Sequence, residues 1–370
     1  VGDGYSDGSM HQLVRTSGNI LYTIAPNCDS YPDFSATGLT QTIRVHKANQ
    51  TGIPSSYTRK DSANEPAAVV GNAAAIDASD NIHIVWSARS SLSNTRYLRY
   101  AVFDTSTDTW GAVTTILSNL DYDDVGQGDE NVAIALDSNG KAHVVFLTTV
   151  GTGTLTDRRI YYTNNTSGSW ATATQVDSDI SYTGNQKAWH PGIAFDANGR
   201  VVTTWLRGTF NGTGDGTIYI RTQETNGTWN SSVSIASSIE TGIDQAVTIL
   251  IDANNRYHLG YSGAKNGVGS GWQQVRYSYS DNGGTSWTAN NPTANLTHNV
   301  TVGPNGSDGI RLWFHGDTSP VDIHYVEGAG GSATWGTETI FTTGTLDSSV
   351  GSRWAQYHYT NPNYVDIVIG

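Results

Sequence analysis

Short stretches in which apolar and polar residues alternate cover most of the chain, and turns rich in glycine and asparagine separate them. Alternation with a period of two is typical of β-strands that bury one face. The sequence has no sustained run of apolar residues at the i, i+3, i+4, i+7 spacing of an amphipathic helix. No apolar run approaches the ~18 residues of a membrane-spanning helix. The pattern therefore predicts an all-β protein.

A hairpin of constant form recurs along the chain. Each copy is an apolar run, a turn of the type Asp-x-Asn-Gly, and an alternating strand that ends on an aromatic residue. The clear copies occupy residues 77–86, 137–146, 196–205 and 252–261, and weaker copies begin near Arg15, Asn305 and Thr360. Successive copies start 53 to 62 residues apart, which indicates a repeat architecture.

A second pair of strands lies between consecutive hairpins, and an aromatic residue closes its turn. The aromatic residues form a series along the chain: Tyr57, Trp110, Trp170, Trp229, Trp287 and Trp335. Four antiparallel strands per repeat make one blade of a β-propeller, an architecture that leaves only short sheet edges. We predict seven four-stranded blades, the last incomplete because its copy supplies two strands, with a six-bladed propeller as the alternative.

The predicted propeller is a single domain over residues 1–370. Its blades are expected to cover roughly residues 9–63, 65–118, 130–178, 188–237, 244–293, 298–343 and 350–370. The last blade contains the apolar segment 365–369. An unpaired strand edge of that composition could accept a strand from a neighbouring chain.

The clearest outer turn is segment 280–287, Ser-Asp-Asn-Gly-Gly-Thr-Ser-Trp. It resembles the Asp-box turn, Ser-x-Asp-x-Gly-x-x-Trp, of the sialidase-like BNR-repeat propellers, with Asn282 in the place of the aspartate. Eroded versions occupy residues 163–170 and 222–229. The resemblance covers nearly the whole chain and implies a propeller fold. That fold serves sialidases, other glycan-active enzymes, lectins and adhesion modules.

The resemblance does not extend to the catalytic residues of a sialidase. Such an enzyme uses three arginines for the substrate carboxylate, a tyrosine activated by a glutamate, and an acid/base aspartate. Its first blade also carries an Arg-Ile-Pro motif. Neither Arg15 nor Arg44 is followed by Ile-Pro, so the sequence argues against classical sialidase activity.

The composition indicates which partners the protein can bind and in which compartment it is found. The formal charge is −13 with only 20 Lys+Arg, which argues against nucleic acid because such binding relies on basic residues that neutralise phosphates. An acidic surface rich in Ser, Thr, Asn and Gly is typical of extracellular or cell-surface proteins. The start Val1-Gly2-Asp3-Gly4 reads as a processed N-terminus. The single cysteine, Cys28, excludes an intramolecular disulfide.

Candidate site residues are those that occur in one copy only, near the long, variable connections that share one face of the blades, among them residues 177–190 and 208–216. Recurring residues, such as His83, His143 and His258, are assigned to packing between blades instead. Variable loops on a rigid scaffold commonly carry binding sites. The predicted ligand-binding residues are Glu130, Trp189, His190, Arg207, Asp244, His298, His315, Arg353 and Trp354.

The densest acidic patch offers a candidate Ca²⁺ site. Its carboxylates are those of Asp121, Asp123, Asp124 and Asp129, and Ca²⁺ prefers such hard oxygen ligands. The patch lacks the spacing of an EF-hand loop, so an ordinary acidic loop is the alternative. The predicted function requires no cofactor.

Two functions remain open at this point. The sequence favours a non-catalytic extracellular module that binds a glycan or a protein partner, or that builds a cell-surface assembly. The alternative is a glycan-active enzyme with its site at the mouth of the propeller channel. A polysaccharide lyase could draw on His190, His298, Tyr182 and Arg207, and a glycoside hydrolase on Glu130 with Asp244.

Overall fold

The computed structural model describes eighteen segments of the chain and places them in antiparallel strands and their turns. These are residues 12–26, 43–51, 56–61, 67–90, 96–120, 132–149, 158–183, 186–209, 212–241, 247–263, 273–293, 296–297, 300–305, 309–315, 321–331, 334–346, 354–357 and 365–368. The chain divides into two compact units, Val1–Gln175 and Val176–Gly370.

The first unit contains three sheets whose strands pair in chain order. Sheet one consists of β1 (Gln12–Arg15), β2 (Ile20–Pro26), β3 (Ile43–Thr51) and β4 (Tyr57–Asp61). Sheet two consists of β5 (Ala67–Ile76), β6 (Ile82–Ser90), β7 (Arg96–Asp104) and β8 (Thr109–Trp110), and β9 (Thr114–Leu120) also pairs with β7. Sheet three consists of β10 (Val132–Leu136), β11 (Ala142–Thr149), β12 (Arg158–Asn164) and β13 (Thr174–Gln175).

The second unit contains three further sheets of the same order and one strand pair. Sheet four consists of β14 (Gln186–Phe195), β15 (Val201–Thr209), β16 (Gly212–Gln223) and β17 (Val233–Thr241). Sheet five consists of β18 (Thr248–Ile251), β19 (Tyr257–Gly263), β20 (Gln273–Ser280) and β21 (Thr288–Asn290), with β22 (Leu296–Thr297) also on β20. Sheet six consists of β23 (Val300–Asn305), β24 (Gly309–His315), β25 (Val321–Ala329) and β26 (Thr339–Leu346). The pair is β27 (Trp354–Tyr357) with β28 (Val365–Val368).

The prediction of seven blades is wrong, and the alternative of six agrees with the structure. The described residues form six sheets of at least four strands, whereas the segment expected to form a seventh contributes only β27 and β28. Counting only the hairpins of first and second strands overestimates the number of blades, because a complete blade also needs its third and fourth strands. The aromatic residues that close the outer turns, from Tyr57 to Trp335, number six.

Consecutive sheets within each unit pack through their first strands. β5 contacts both β1 and β10, and β18 contacts both β14 and β23. Between the sheets lie β-branched and aromatic side chains, including Trp86 of sheet two, which packs against sheet one, and Phe146 of sheet three, which packs against sheet two. Fully burying one apolar side chain contributes about 1.5–3 kcal/mol. In sheets two and three, the aromatic residue of the second strand therefore holds its sheet against the preceding one.

In sheets two to five, an aspartate closes the turn between the first two strands. Oδ1 of Asp77 accepts hydrogen bonds from the amides of Ser79 and Asn81 at 2.9 and 2.8 Å. Asp137, Asp196 and Asp252 bind their own turns in the same way. The fourth residue of this turn is left-handed in sheets one to five, which favours Gly, Asn or Asp there; these residues are Asn19, Asp80, Gly140, Gly199 and Asn255.

The recurring histidines join this turn to the third strand. In each case a Tyr hydroxyl is 2.6–2.7 Å from Nδ1 of the histidine. Nε2 faces the turn aspartate at 3.1–3.9 Å. The triads are Asp77–His83–Tyr100, Asp137–His143–Tyr162 and Asp252–His258–Tyr277. The structure thus gives these histidines a packing role at one repeated position.

Candidate functional site

One edge of sheet four gathers residues from three strands and the preceding connection. β14 begins and β15 ends at this edge, because neighbouring strands are antiparallel. Only residues 210–211 separate β15 from β16, so the connection predicted over residues 208–216 is mostly strand. Glycines at 212, 214 and 216 obscure this strand in the sequence, because glycine is depleted in strands.

Arg207 lies at this edge and is held by neutral groups. Its Nε and Nη2 donate to Oε1 of Gln186 at 3.0 and 2.6 Å. Its Nη1 donates to the hydroxyl of Tyr219 at 3.1 Å. Tyr219 in turn stacks on Trp205, with ring centroids 5.7 Å apart and ring planes at 18°. Three hydrogen bonds therefore fix the direction of the guanidinium.

A tyrosine–carboxylate pair lies beside that guanidinium. Cζ of Arg207 is 5.9 Å from the centre of the Tyr182 ring, and the Tyr182 hydroxyl donates to Oδ2 of Asp177 at 2.6 Å. Asp177 is 0% exposed, and a buried carboxylate is stable only when its oxygens accept hydrogen bonds. We call Asp177, Tyr182, Gln186, Arg207 and Tyr219 the Arg207 cluster.

Arg207 differs from other arginines of the second unit in its partners. Several of those arginines pair with a carboxylate: Arg200 with Asp196, Arg221 with Asp179, Arg256 with Asp281 and Arg311 with Glu327. Within the described part of the chain, Arg207 contacts an amide oxygen, a hydroxyl and an aromatic ring instead. Its positive charge is therefore not balanced by a described neighbour.

β14 bulges next to this cluster. Two of its residues, His190 and Pro191, oppose the single residue Trp205 of β15. His190 has a φ of +47°, which residues other than glycine rarely adopt. A Cβ on Gly192 would lie 2.5 Å from Oγ1 of Thr204, so the bulge requires glycine there. Bulges and strained backbone are frequent next to functional sites.

Three predicted ligand-binding residues have described side chains. Arg207 belongs to the cluster. Trp189 is 2% exposed, packs in the core of the unit and donates Nε1 to the carbonyl of Gly208 at 3.0 Å. His190 is 3% exposed within the bulge. The structure thus brings Arg207 to Tyr182, while Trp189 and His190 face the interior.

The remaining predicted residues lie outside what the structure describes. His315 and Trp354 belong to β24 and β27, but their side chains are not among the described ones. Glu130, Asp244, His298 and Arg353 lie outside the described residues, as do Cys28 and the Ca²⁺ candidates Asp121, Asp123, Asp124 and Asp129. Among the residues that are described, no three His, Cys, Asp or Glu side chains are grouped to hold a metal ion.

The sequence does not predict three members of the Arg207 cluster, namely Asp177, Gln186 and Tyr219. Tyr219 sits in a strand motif shared with Tyr161, so the rule that assigns recurring residues to packing excludes it. Asp177 and Gln186 lie within residues 177–190, a connection that the sequence does single out as variable. That connection is the signal from which both could have been found.

No family model and no curated protein matches the chain, but solved structures do. The alpha-L-arabinofuranosidase Arb93A of Fusarium graminearum is 11% identical with a TM-score of 0.54, over 89% of this chain and 95% of that one. The alpha-L-arabinanase of Penicillium chrysogenum is 11% identical with a TM-score of 0.52, over 85% and 91%. A PL25 ulvan lyase bound to -[GlcA(1-4)Rha3S]- is 12% identical with a TM-score of 0.51, over 92% and 84%.

At such low identity these likenesses establish the fold alone. The chain is an all-β propeller of small four-stranded antiparallel blades, and sheets one to six are the blades that the described residues form. The propeller prediction is confirmed, whereas the narrower resemblance to sialidase-like BNR repeats finds no matching family. In the described part of the chain, no helix is both long and apolar enough to cross a membrane.

Proposed function

We propose that this protein is a glycan-active enzyme that cleaves a polysaccharide at the Arg207 cluster. The propellers that resemble it are named as an arabinofuranosidase, an arabinanase and an ulvan lyase. Their names favour the enzymatic alternative over a non-catalytic module. An extracellular or cell-surface location is part of the proposal, in keeping with the acidic, polar composition.

The observation that carries the proposal is the Tyr182–Asp177 pair beside a guanidinium. The hydroxyl oxygen of Tyr182 lies 2.6 Å from Oδ2 of the buried Asp177 and donates its proton to it in a hydrogen bond. Such a pair can relay a proton while the phenol exchanges one with a substrate. The guanidinium of Arg207, next to the same ring, can stabilise negative charge that develops on the substrate.

Tyr182→Phe and Asp177→Asn test the proposal. Both variants keep the shape of the side chain and remove one partner of the proton relay. We expect each to lower kcat about 100-fold on the polysaccharide that the wild-type protein cleaves. The measurement is the release of new chain ends from a panel of neutral and acidic polysaccharides. Far-UV circular dichroism and thermal melting establish that the variants fold.

Tyr57→Phe is the matched control, because Tyr57 is 45% exposed on an outer strand of the first unit. It should retain wild-type kcat. Wild-type kcat in Tyr182→Phe would place the chemistry elsewhere. Binding of a glycan without cleavage of any polysaccharide in the panel would instead restore the non-catalytic module.

A further inference from the structure

We infer that the Arg207 cluster recognises a negatively charged group on the glycan, a uronate carboxylate or a sulfate ester. The substrate class would then be an acidic polysaccharide. This inference rests on the proposed function and adds the chemistry of the substrate to it.

The hydrogen-bond inventory of Arg207 supplies the first argument. A guanidinium has five N–H groups, and three of them donate to Gln186 and Tyr219. One N–H on each of the two terminal nitrogens therefore donates to no described residue. Two N–H groups on one planar cation suit the paired oxygens of a carboxylate or sulfate, which guanidinium groups bind in a bidentate manner.

The charge of the cluster supplies the second argument. Among the described residues, the groups that touch Arg207 are an amide, a phenol and an aromatic face, all neutral. The carboxylate of Asp177 is 0% exposed and is engaged by Tyr182 rather than by Arg207. A partly buried cation that has no counter-charge among its described neighbours gains from an anionic ligand, because electrostatic attraction is stronger where water is excluded.

The net charge of the whole chain supplies the third argument, because it opposes binding of polyanions anywhere except at a local cationic site. With a formal charge of −13, the protein repels polyanions over most of its surface. Non-specific adsorption of an acidic polysaccharide is therefore unfavourable. Measured binding of such a polymer would report a local site.

Affinity measurements with purified polymers test the inference. The probes are polygalacturonate, a sulfated galactan and a neutral arabinan, and the protein is the full chain as wild type, Arg207→Ala and Arg207→Lys. We expect the wild type to bind at least one acidic polymer and not the arabinan. Arg207→Ala should weaken that binding about 10-fold or more, and Arg207→Lys should weaken it to an intermediate extent, because lysine keeps the charge but not the planar pair of donors.

Arg59→Ala is the charge-matched control. Arg59 is exposed on β4, so its loss changes the net charge by the same amount and should alter affinity less than about twofold. Equal affinity of wild type and Arg207→Lys or Arg207→Ala for the acidic polymers would overturn the inference. A wild-type preference for the arabinan would overturn it as well. If Arg207→Ala does not fold, Arg207→Lys alone decides.

The same data separate this inference from the proposed function. Acidic binding that depends on Arg207, without cleavage, supports the anion site and overturns the enzyme. Cleavage of the arabinan alone supports the enzyme and overturns the anion site. Preference for polygalacturonate over the sulfated galactan identifies the anion as a carboxylate, and the reverse preference identifies it as a sulfate.

Discussion

His143 illustrates how the packing histidines couple stability to pH. It is 6% exposed, and its Nδ1 is 2.6 Å from the hydroxyl of Tyr162. Burial lowers the pKa of His143 from its ordinary value of 6.5 to about 4, although the nearby Asp137 acts in the opposite direction. Burial also lowers the pKa of His83 and of His258. The folded protein therefore holds these imidazoles neutral.

The stability contributed by neutral His143 is present in full above pH 6.5 and is lost as the pH falls towards 4. In that window the unfolded chain binds a proton that the folded chain excludes. One pKa unit corresponds to about 1.4 kcal/mol, so we expect the free energy of unfolding to fall by about 2–3 kcal/mol from this residue. His143→Gln should remove that part of the fall between pH 7 and pH 4.5, measured by urea unfolding.

Tyr162→Phe is the control for this pH effect. It removes the hydroxyl that bonds His143 but keeps the buried imidazole. Stability at pH 7 should therefore drop by about 1–3 kcal/mol, while the pH dependence persists. A His143→Gln variant with the wild-type pH dependence would show that His143 is not the group that titrates.

At the scale of elements, the left-handed turn residue of one sheet can bind the turn of the sheet before it. Asp80 accepts hydrogen bonds from the amide and the hydroxyl of Ser17 at 2.7 and 2.5 Å. Asn255 accepts one from the amide of Ala197 at 2.8 Å. The equivalent residue of sheet three is Gly140, which has no side chain to make this link. The turn-to-turn contact therefore depends on whether the position holds Asp, Asn or Gly.

Gly140→Asn should create the missing link. The φ of +71° suits asparagine, and a Cβ there would meet Asp77 Cβ at an ordinary 3.8 Å, close to the amide of Ala78, which is equivalent to that of Ser17. We expect a gain of about 0.5–1.5 kcal/mol in the free energy of unfolding. Asp80→Gly, which keeps the backbone conformation but loses the side chain, should lower it by about 1–2 kcal/mol.

Gly168→Asn separates the link from a backbone effect. Gly168 has a φ of +88° on an outer turn, and a Cβ there would meet nothing within 4 Å. Unfolding measurements that find the same change for Gly140→Asn and Gly168→Asn would exclude a new hydrogen bond as the cause.

The strands could be predicted from the sequence where an alternating apolar pattern is bounded by residues typical of turns. The hairpin expected over residues 77–86 joins β5 to β6, and the one over residues 252–261 joins β18 to β19. The start of β16 was missed because glycines replace its apolar residues. β8 and β13 are two residues long, too short for any alternation. Packing rather than local pattern creates such strands.

At the scale of the molecule, the repeat predicts the propeller but not the site. A repeat fixes which positions face the neighbouring sheet, and this is enough to assign Trp86 and Trp205 to the core. The contact of Arg207 with Gln186, 21 residues away, depends on strand register, and the position of Tyr182 depends on the path of a variable connection. Neither follows from periodicity. The fold is therefore compatible with several functions, and the proposed function rests on the contacts of the Arg207 cluster.

If the proposed enzyme acts at the Arg207 cluster, the groups in that cluster favour elimination over hydrolysis. Hydrolysis of a glycosidic bond commonly uses two carboxyl groups, whereas the Arg207 cluster contains one, Asp177, which is buried against Tyr182. In an elimination Tyr182 would pass its phenolic proton to Asp177 as it takes the proton next to a uronate carboxylate, whose growing charge Arg207 would stabilise. The bond from the adjacent carbon to the leaving oxygen would then break and a carbon–carbon double bond would form. Tyr182 would give the abstracted proton to the leaving oxygen and take its own back from Asp177. No water enters, so mass spectrometry of a uronate oligosaccharide should give two products whose masses sum to that of the substrate. A sum larger by one water would establish hydrolysis and would require a second carboxyl group outside the cluster.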